Sequence, residues 1–145
     1  MSAKHDLSQL PNKPLWFAPG PSREPLEGAI QADVVIIGAG YTGLWTAYYL
    51  LKSDPSLRVV LLEQHEVGFG ASGRNGGWAS AIFPISLQRV EQLYSHEAAL
   101  HLQAAMNATV DEIGRVLALE GVDADYAKQG FLSLARSQPQ MDRAR

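Results

Sequence analysis

The sequence of 145 residues contains no cysteine. Disulfides, thiolate metal ligands and a cysteine nucleophile are therefore excluded, and the absence is compatible with a cytoplasmic location. The 12 lysine and arginine residues are scattered among 15 aspartate and glutamate residues, which gives a formal net charge of −3. Because no basic stripe is present that could neutralise a phosphate backbone, nucleic acid is not an expected partner.

A clear membrane-spanning or secretory segment is also lacking. Residues 34–51 are nearly apolar over about the length that spans a bilayer. However, three glycines at turn spacing interrupt the run, Asp33 flanks it and a strand pattern follows, which favours a buried βαβ start without a transmembrane segment. Residues 1–31 lack the apolar core and the cleavage site of a secretory signal. They are rich in proline and predict an extended leader, whose Trp16 and Phe17 are expected to pin it to the domain or to a neighbouring subunit.

The stretch from Ala32 to Glu63 predicts a strand, a glycine turn, a helix and a second strand. A short, mainly β-branched apolar run stops at Gly38, as a buried parallel strand does. Gly38, Gly40 and Gly43 then have the spacing G-x-G-x-x-G. In this pattern the first glycine permits the turn, the second lets the backbone approach a pyrophosphate, and the third lets the helix pack close to the strand.

The start of the following helix is suited to an anion. Its first N–H groups have no partner within the helix, and the aligned peptide dipoles add positive charge, so a diphosphate fits without a lysine. Asp54-Pro55 ends the helix, Val59–Leu62 form the second strand, and Glu63 closes that strand. A carboxylate at this place accepts hydrogen bonds from ribose hydroxyls and repels a 2′-phosphate, so NADP is disfavoured. A purely structural glycine turn is the alternative.

The ten residues 68–77 contain five glycines. Such a loop is costly to order, so it is either a flexible linker or it wraps a ligand. Ser72 can donate to a phosphate, Arg74 offers charged donors and Asn75 offers a bifunctional amide. Gly76 and Gly77 leave room for a ring system. These contents favour ligand contact.

These motifs together resemble the N-terminal part of the D-amino-acid oxidase-like FAD-dependent oxidoreductases. The resemblance rests on Gly38–Gly43, Glu63 and above all GASGRNGG at residues 70–77, and within the family it is nearest to the γ-glutamylputrescine oxidase-like amine oxidases. It extends from about Asp33 to Arg145. It implies an α/β fold that begins as a Rossmann-like FAD-binding βαβ unit. It also implies oxidation of a C–N bond of an amine or amino acid, with oxygen as acceptor and hydrogen peroxide as product.

The resemblance further implies which residues contact FAD. Those at the pyrophosphate would be Gly38, Ala39, Gly40, Thr42 and Gly43, with Glu63 on the adenosine ribose. Those along the diphosphate, ribityl chain and flavin ring would be Ser72, Arg74, Asn75, Gly76 and Gly77. FAD is expected to be noncovalent, because cysteine is absent and no histidine lies in an attachment motif. No metal site is expected, and the catalytic residues are expected to lie beyond this chain.

The second half of the sequence is mainly helical in pattern. Apolar residues recur at spacings of three and four, which predicts a short helix to about Tyr94 and a long one from about His96 to Glu120. Ser86 and Ser95 are candidate N-caps, and Gly121 would end the long helix.

A β-hairpin is predicted next, with strands Asp125–Lys128 and Phe131–Ala135 joined through Gln129-Gly130. Ser137-Gln138-Pro139 then offers another helix start. The expected organisation is an extended leader over residues 1–31 and a partial, truncated FAD-binding domain over residues 32–145.

Two other functions are compatible with the motifs. The chain as given could be a catalytically silent, truncated nucleotide-binding module, and its length favours inactivity of this polypeptide alone. An NAD-binding Rossmann domain would share the three glycines and Glu63, but it would leave the loop at residues 70–77 without a role.

Overall fold

The computed structural model describes residues 14, 16, 20–21, 23–130, 132 and 134–144. The chain divides into two compact units, Met1–Trp78 and Ala79–Arg145. In chain order the helices and strands are β1 (Val34–Ile37), α1 (Tyr41–Ser53), β2 (Val59–Leu62), α2 (Leu87–Leu93), α3 (His96–Glu120) and α4 (Gln138–Ala144). The predicted α/β class is therefore confirmed.

The first unit contains a parallel βαβ arrangement. β1 pairs with β2 in the register that joins Val34 to Val59 and Ile37 to Leu62. A parallel pair needs a long crossover connection, and α1 provides it. At the start of both strands the carboxylate of Asp33 accepts hydrogen bonds from the backbone N–H of Arg58 at 2.8 Å and from its Nε and Nη2 atoms at 3.1 and 2.9 Å. The Asp33–Arg58 pair therefore fixes the register of β1 and β2 at the point where their backbone pairing begins.

The two-stranded sheet has one face that is largely uncovered. On β1, Val35 and Ile37 point to the same face and are 55% and 88% exposed. Strands of a parallel sheet are ordinarily covered on both faces, and two strands with one helix cannot provide that cover.

The second unit contains α2 and α3, which pack against each other. The predicted caps are confirmed: Ser86 Oγ accepts from the N–H of Arg89 at 3.2 Å, and Ser95 Oγ accepts from the N–H of Ala98 at 3.0 Å. Gly121 ends α3 with φ at 64°, a left-handed conformation that glycine adopts readily. The buried apolar side chains of this unit are Val90, Ala99 and Val116 among the described residues.

The predicted β-hairpin is wrong for the residues that the structure describes. Residues 122–130, 132 and 134–136 form no strand, while Phe131 and Ser133 of the predicted second strand lie outside the described residues. The first predicted strand instead contacts α3: the Tyr126 hydroxyl donates to the carbonyl of Val110 at 2.7 Å, and Lys128 pairs with Asp111. An isolated two-stranded hairpin is marginal in water, and these contacts replace its pairing.

The end of the described chain is exposed. Leu132 and Leu134 are 79% and 75% exposed, and α4 begins at Gln138 near the predicted start. Across the described ranges, no helix is both long and apolar enough to cross a membrane.

Candidate cofactor site

The site is built at the edge of the sheet where both strands end. Because β1 and β2 are parallel, the residues that follow them, Gly38 and Glu63, meet at the same edge. The N–H of Gly38 donates to the carbonyl of Leu62 at 2.7 Å and extends the ladder by one bond. One residue later, the N–H of Ala39 donates to Oε2 of Glu63 at 2.8 Å. The glycine turn and the carboxylate after β2 are therefore in direct contact.

The three glycines of the turn are needed for different reasons. Gly38 has φ at 101°, a region that side chains rarely allow. A Cβ placed on Gly43 would lie 2.0 Å from the carbonyl oxygen of Gly38, so the close approach predicted between helix and strand is present. A Cβ placed on Gly40 would lie 2.9 Å from Oγ of Ser72. The second glycine thus makes room for a side chain of the later loop.

Ser72 caps the helix that follows the glycine turn. Gly40 occupies the N-cap position of α1 and has no side chain with which to accept a hydrogen bond. Instead, Oγ of Ser72 accepts from the N–H of Tyr41 at 2.9 Å. This N–H lies in the first turn of α1, where unpaired donors and the helix dipole attract anions. The hydroxyl oxygen therefore lies at the position where the sequence predicts a pyrophosphate.

Glu63 is held by backbone donors on both of its oxygens. In addition to Ala39, the N–H of His65 donates to Oε1 at 3.1 Å. These two hydrogen bonds, with that of Ala39 the stronger, hold the pKa of Glu63 below its usual value, so the group is ionised at neutral pH. A carboxylate oxygen has more than one acceptor site, so the predicted ribose contact is compatible with these bonds.

The loop at residues 70–77 is ordered by its own amide side chain. A 3-10 turn spans Ala71–Gly73. The Nδ2 atom of Asn75 donates to the carbonyl of Ser72 at 2.6 Å, and its Oδ1 atom accepts from the N–H of Gly77 at 2.7 Å. The bifunctional amide that was predicted to face a ligand thus binds the backbone of the loop on both sides.

The side chain of Arg74 is oriented by the ring of Phe69, the residue directly before the loop. Its Nε atom donates to the carbonyl of Phe69 at 2.9 Å, and its guanidinium carbon lies 4.9 Å from the centre of the Phe69 ring. The ring of His65 lies against the same ring, with centroids 4.2 Å apart. The guanidinium is therefore positioned by a cation–π contact and a hydrogen bond.

The leader contributes a residue that sequence reasoning did not assign to the site. Trp16 donates its backbone N–H to the carbonyl of Gly73 at 3.1 Å and its indole N–H to the carbonyl of Asn75 at 2.8 Å. The prediction that Trp16 pins the leader to the domain is confirmed, while Phe17 lies outside the described residues. An indole within a proline-rich arm was the signal that could have suggested the contact.

The structure brings most of the predicted residues together. Those linked by the contacts above are Gly38, Ala39, Gly40, Gly43, Glu63, Ser72, Asn75 and Gly77. Thr42 lies in the first turn of α1 and is exposed, and Gly76 and Gly77 are exposed on the loop. Among the described residues, no group of three or more histidine, aspartate or glutamate side chains could hold a metal ion.

The geometry defines a nucleotide-binding type of βαβ unit. Backbone N–H groups at a helix start, a glycine turn and an ionised carboxylate form a cradle that fits the pyrophosphate and ribose of a dinucleotide. Residues 33–145 match the family described as FAD dependent oxidoreductase. This match covers most of the chain, and the protein belongs to that family.

Named relatives agree with this membership. The chain is 33% identical over 118 residues to gamma-glutamylputrescine oxidoreductase of Escherichia coli (strain K12), an alignment that covers 81% of this chain and 27% of the relative. It is 32% identical over 139 residues to sarcosine oxidase subunit beta of Arthrobacter sp, covering 81% of this chain and 33% of the relative. The chain thus spans about a third or less of the length of these relatives. No solved structure matches it significantly.

Proposed function

We propose that the protein is an FAD-dependent oxidoreductase that oxidises a C–N bond of an amine or amino acid. The family membership supports the cofactor, and the names of the two relatives support the substrate class. Oxygen as acceptor and hydrogen peroxide as product are part of the proposal. Because the chain spans only part of the relatives, the reaction is proposed for the whole protein.

The observation that carries the proposal is that three parts of the chain, distant in sequence, meet at one edge of the sheet. They are the glycine turn with the start of α1, Glu63, and the loop at residues 70–77. Glu63 contacts Ala39 of the glycine turn, and Ser72 contacts Tyr41 at the start of α1. A plain structural turn would need neither the carboxylate nor the loop at this place. An NAD site would use the turn and Glu63, but it would give the loop no ligand to contact.

In this proposal different residues bind different parts of FAD. The backbone of Gly38–Gly43, including Ala39, Gly40 and Thr42, would hold the pyrophosphate, and Glu63 would accept from the ribose hydroxyls. Ser72, Arg74, Asn75, Gly76 and Gly77 would line the diphosphate, ribityl chain and flavin ring. FAD would supply the redox chemistry when bound, accepting a hydride from the carbon that bears nitrogen. Binding would be noncovalent, and a cytoplasmic location is proposed with it.

Ser72 changes its hydrogen-bonding role in this scheme. A serine hydroxyl accepts with its oxygen and donates with its proton. In the structure the oxygen accepts from the N–H of Tyr41. A phosphate oxygen that took this N–H would displace the hydroxyl, which could then rotate and donate to the same phosphate. The helix start would keep an acceptor in both states.

The experiment is to purify the full-length protein and record its absorbance spectrum. A flavin spectrum near one FAD per chain, with the flavin released into the supernatant after heat precipitation, is the expected result. Flavin that stays with the precipitate would contradict noncovalent binding. Anaerobic addition of amines and amino acids should bleach the flavin, and air should restore it with release of hydrogen peroxide.

The same preparation distinguishes the other functions. Colourless protein that still binds ADP would indicate a silent nucleotide-binding module. Colourless protein that NAD protects against thermal unfolding would indicate a nicotinamide site. A yellow protein that no amine or amino acid bleaches would leave the FAD site in place and contradict the substrate class.

A further inference from the structure

Two residues of the N-terminal arm, the predicted leader over residues 1–31, lie directly against the glycine-rich loop at residues 70–77. Pro14 is buried, and a Cβ placed on Gly73 would lie 2.6 Å from its Cβ. Trp16 makes two hydrogen bonds to the loop, through its backbone N–H to Gly73 and through its indole N–H to Asn75. The arm is therefore joined to both halves of the loop.

The indole ring also covers the end of the loop that the proposed site gives to the flavin ring. A Cβ placed on Gly77 would lie 3.0 Å from the Cζ2 atom of Trp16, and the φ of Gly77 is 74°. The left-handed conformation favours glycine there, and the indole leaves little room for a side chain. Trp16 remains 57% exposed, so its ring lies on the surface of the loop and part of it faces solvent.

A chain of hydrogen bonds runs from this indole to the start of α1. Trp16 Nε1 donates to the carbonyl of Asn75 at 2.8 Å. Asn75 Nδ2 donates to the carbonyl of Ser72 at 2.6 Å, and Ser72 Oγ accepts from the N–H of Tyr41 at 2.9 Å. The position of the arm is thus linked by hydrogen bonds to the shape of the loop.

We propose that Pro14 and Trp16 form an arm clasp that holds the loop in its ligand-binding shape, and that Trp16 is a positioning residue for FAD. This inference rests on the proposed function for its ligand. A loop rich in glycine loses much backbone entropy when it is ordered. The clasp orders the loop before the cofactor arrives, so less of the binding free energy is spent on ordering.

The clasp acts selectively on one part of the cofactor site. The indole hydrogen bond and the ring contact of Trp16 fall on Asn75 and Gly77, which the proposed site places at the ribityl chain and flavin ring. The ADP part would be held by the glycine turn and Glu63, which bind each other without the arm. Loss of the clasp should therefore weaken FAD more than ADP.

The first test needs no cofactor. Amide hydrogen exchange is measured in the FAD-free full-length protein and in its Trp16→Phe and Trp16→Ala variants, with Trp45→Phe as the matched control. Trp45 is a tryptophan of α1 whose ring stacks on Tyr49. Exchange across residues 70–77 should rise about tenfold in Trp16→Ala and less in Trp16→Phe, while β1 and β2 keep their protection. Unchanged exchange in the loop, or an equal rise in the strands, would overturn the clasp.

The second test compares two ligands by titration. Trp16→Phe removes the indole N–H and keeps an aromatic ring, so its FAD dissociation constant should rise about three- to tenfold, the range for one hydrogen bond. The dissociation constant for ADP should stay within about twofold, and Trp45→Phe should change neither. An equal loss for ADP and FAD would overturn the selective role. Wild-type protein that binds no FAD would instead contradict the proposed function, and the exchange data would still decide whether the clasp exists.

Discussion

Ser72 and Tyr41 are joined by a hydrogen bond of 2.9 Å that caps a helix with a side chain from another part of the chain. The N-cap position of α1 is a glycine, which leaves the helix start open to a ligand. The loop then supplies the missing acceptor. In the proposed site a phosphate oxygen would accept from the same N–H, so the cap and the cofactor would compete for one donor.

Removal of the cap should destabilise the protein. Ser72→Ala deletes the acceptor for the N–H of Tyr41, and loss of an N-cap side chain costs about 1 kcal/mol. The midpoint of urea unfolding should fall by the corresponding amount. Ser53→Ala is the control, because Ser53 is exposed in the last turn of the same helix. A Ser72→Ala variant as stable as the control would contradict the cap.

Gly40→Ala should act through the same hydroxyl. The new Cβ would lie 2.9 Å from Oγ of Ser72, so the serine must rotate and give up the cap. We expect a loss of about 1 kcal/mol from unfolding curves, by the same argument as for the cap itself. Gly76→Ala is a matched control, since a Cβ there has no described heavy atom within 4 Å.

A double-mutant cycle separates this mechanism from a general intolerance of alanine. In the Ser72→Ala background the obstructing oxygen is gone, so Gly40→Ala should cost much less than in the wild type. Additive losses would show that Gly40 is required for a reason unrelated to Ser72.

Gly43→Ala should be more damaging than Gly40→Ala. Its Cβ would lie 2.0 Å from the carbonyl oxygen of Gly38, and a backbone oxygen cannot rotate away. The helix would have to move off β1, which costs about 1–3 kcal/mol or more, as for overpacked cores. Thermal unfolding followed by circular dichroism measures the loss. Equal melting temperatures for the two alanine variants would contradict the close helix–strand contact.

The elements predicted correctly have local signals, whereas the contacts whose partners were missed join residues that are distant in sequence. The bounds of α3 follow from Ser95 before it and Gly121 after it, both within one turn of the helix ends. The hairpin prediction was wrong because a glycine between two apolar runs indicates strand pairing only when no competing contact is available. Here Tyr126 contacts α3 instead. The Ser72–Tyr41 and Trp16–Asn75 contacts join residues 31 and 59 apart in sequence. No periodicity or spacing rule reaches that far.

The Asp33–Arg58 pair should make unfolding depend on pH in acid. Hydrogen bonds from the Arg58 side chain, then from its backbone, lower the pKa of Asp33 to about 2. A carboxyl group with a lowered pKa stabilises the fold while it is ionised. Its contribution is therefore complete above its ordinary pKa of about 4 and is lost as the pH falls towards 2.

Asp33→Asn should flatten this part of the stability curve. The urea midpoint of the variant should change less between pH 4 and pH 2 than that of the wild type, and its stability should be lower at pH 7. Asp123→Asn, at an exposed aspartate of the second unit, is the control for the loss of one negative charge. Parallel curves for Asp33→Asn and the wild type would show that the pair does not form in solution.

Glu63→Gln tests the residue that is both a structural link and a proposed cofactor ligand. The two carboxylate oxygens accept from the N–H groups of Ala39 and His65. Glutamine has only one side-chain oxygen, so its NH2 group must face one of these donors, and the lost hydrogen bond costs about 0.5–1.5 kcal/mol. The pKa of Glu63 is lowered by the same donors, so protonation in acid should weaken the wild type in the same way, with stability lost as the pH falls below the usual range of the group.

Two measurements on this variant separate its roles. Urea unfolding at pH 7 should show the lost stability, while Glu66→Gln, at an exposed glutamate nearby, should unfold like the wild type. Calorimetric titration with ADP should show a further loss of about 1.5–3 kcal/mol in binding, the range for hydrogen bonds to a charged group. Wild-type stability would contradict the Ala39 contact. Lowered stability with unchanged ADP affinity would confine Glu63 to a structural role, because a carboxylate that binds the ribose must affect both.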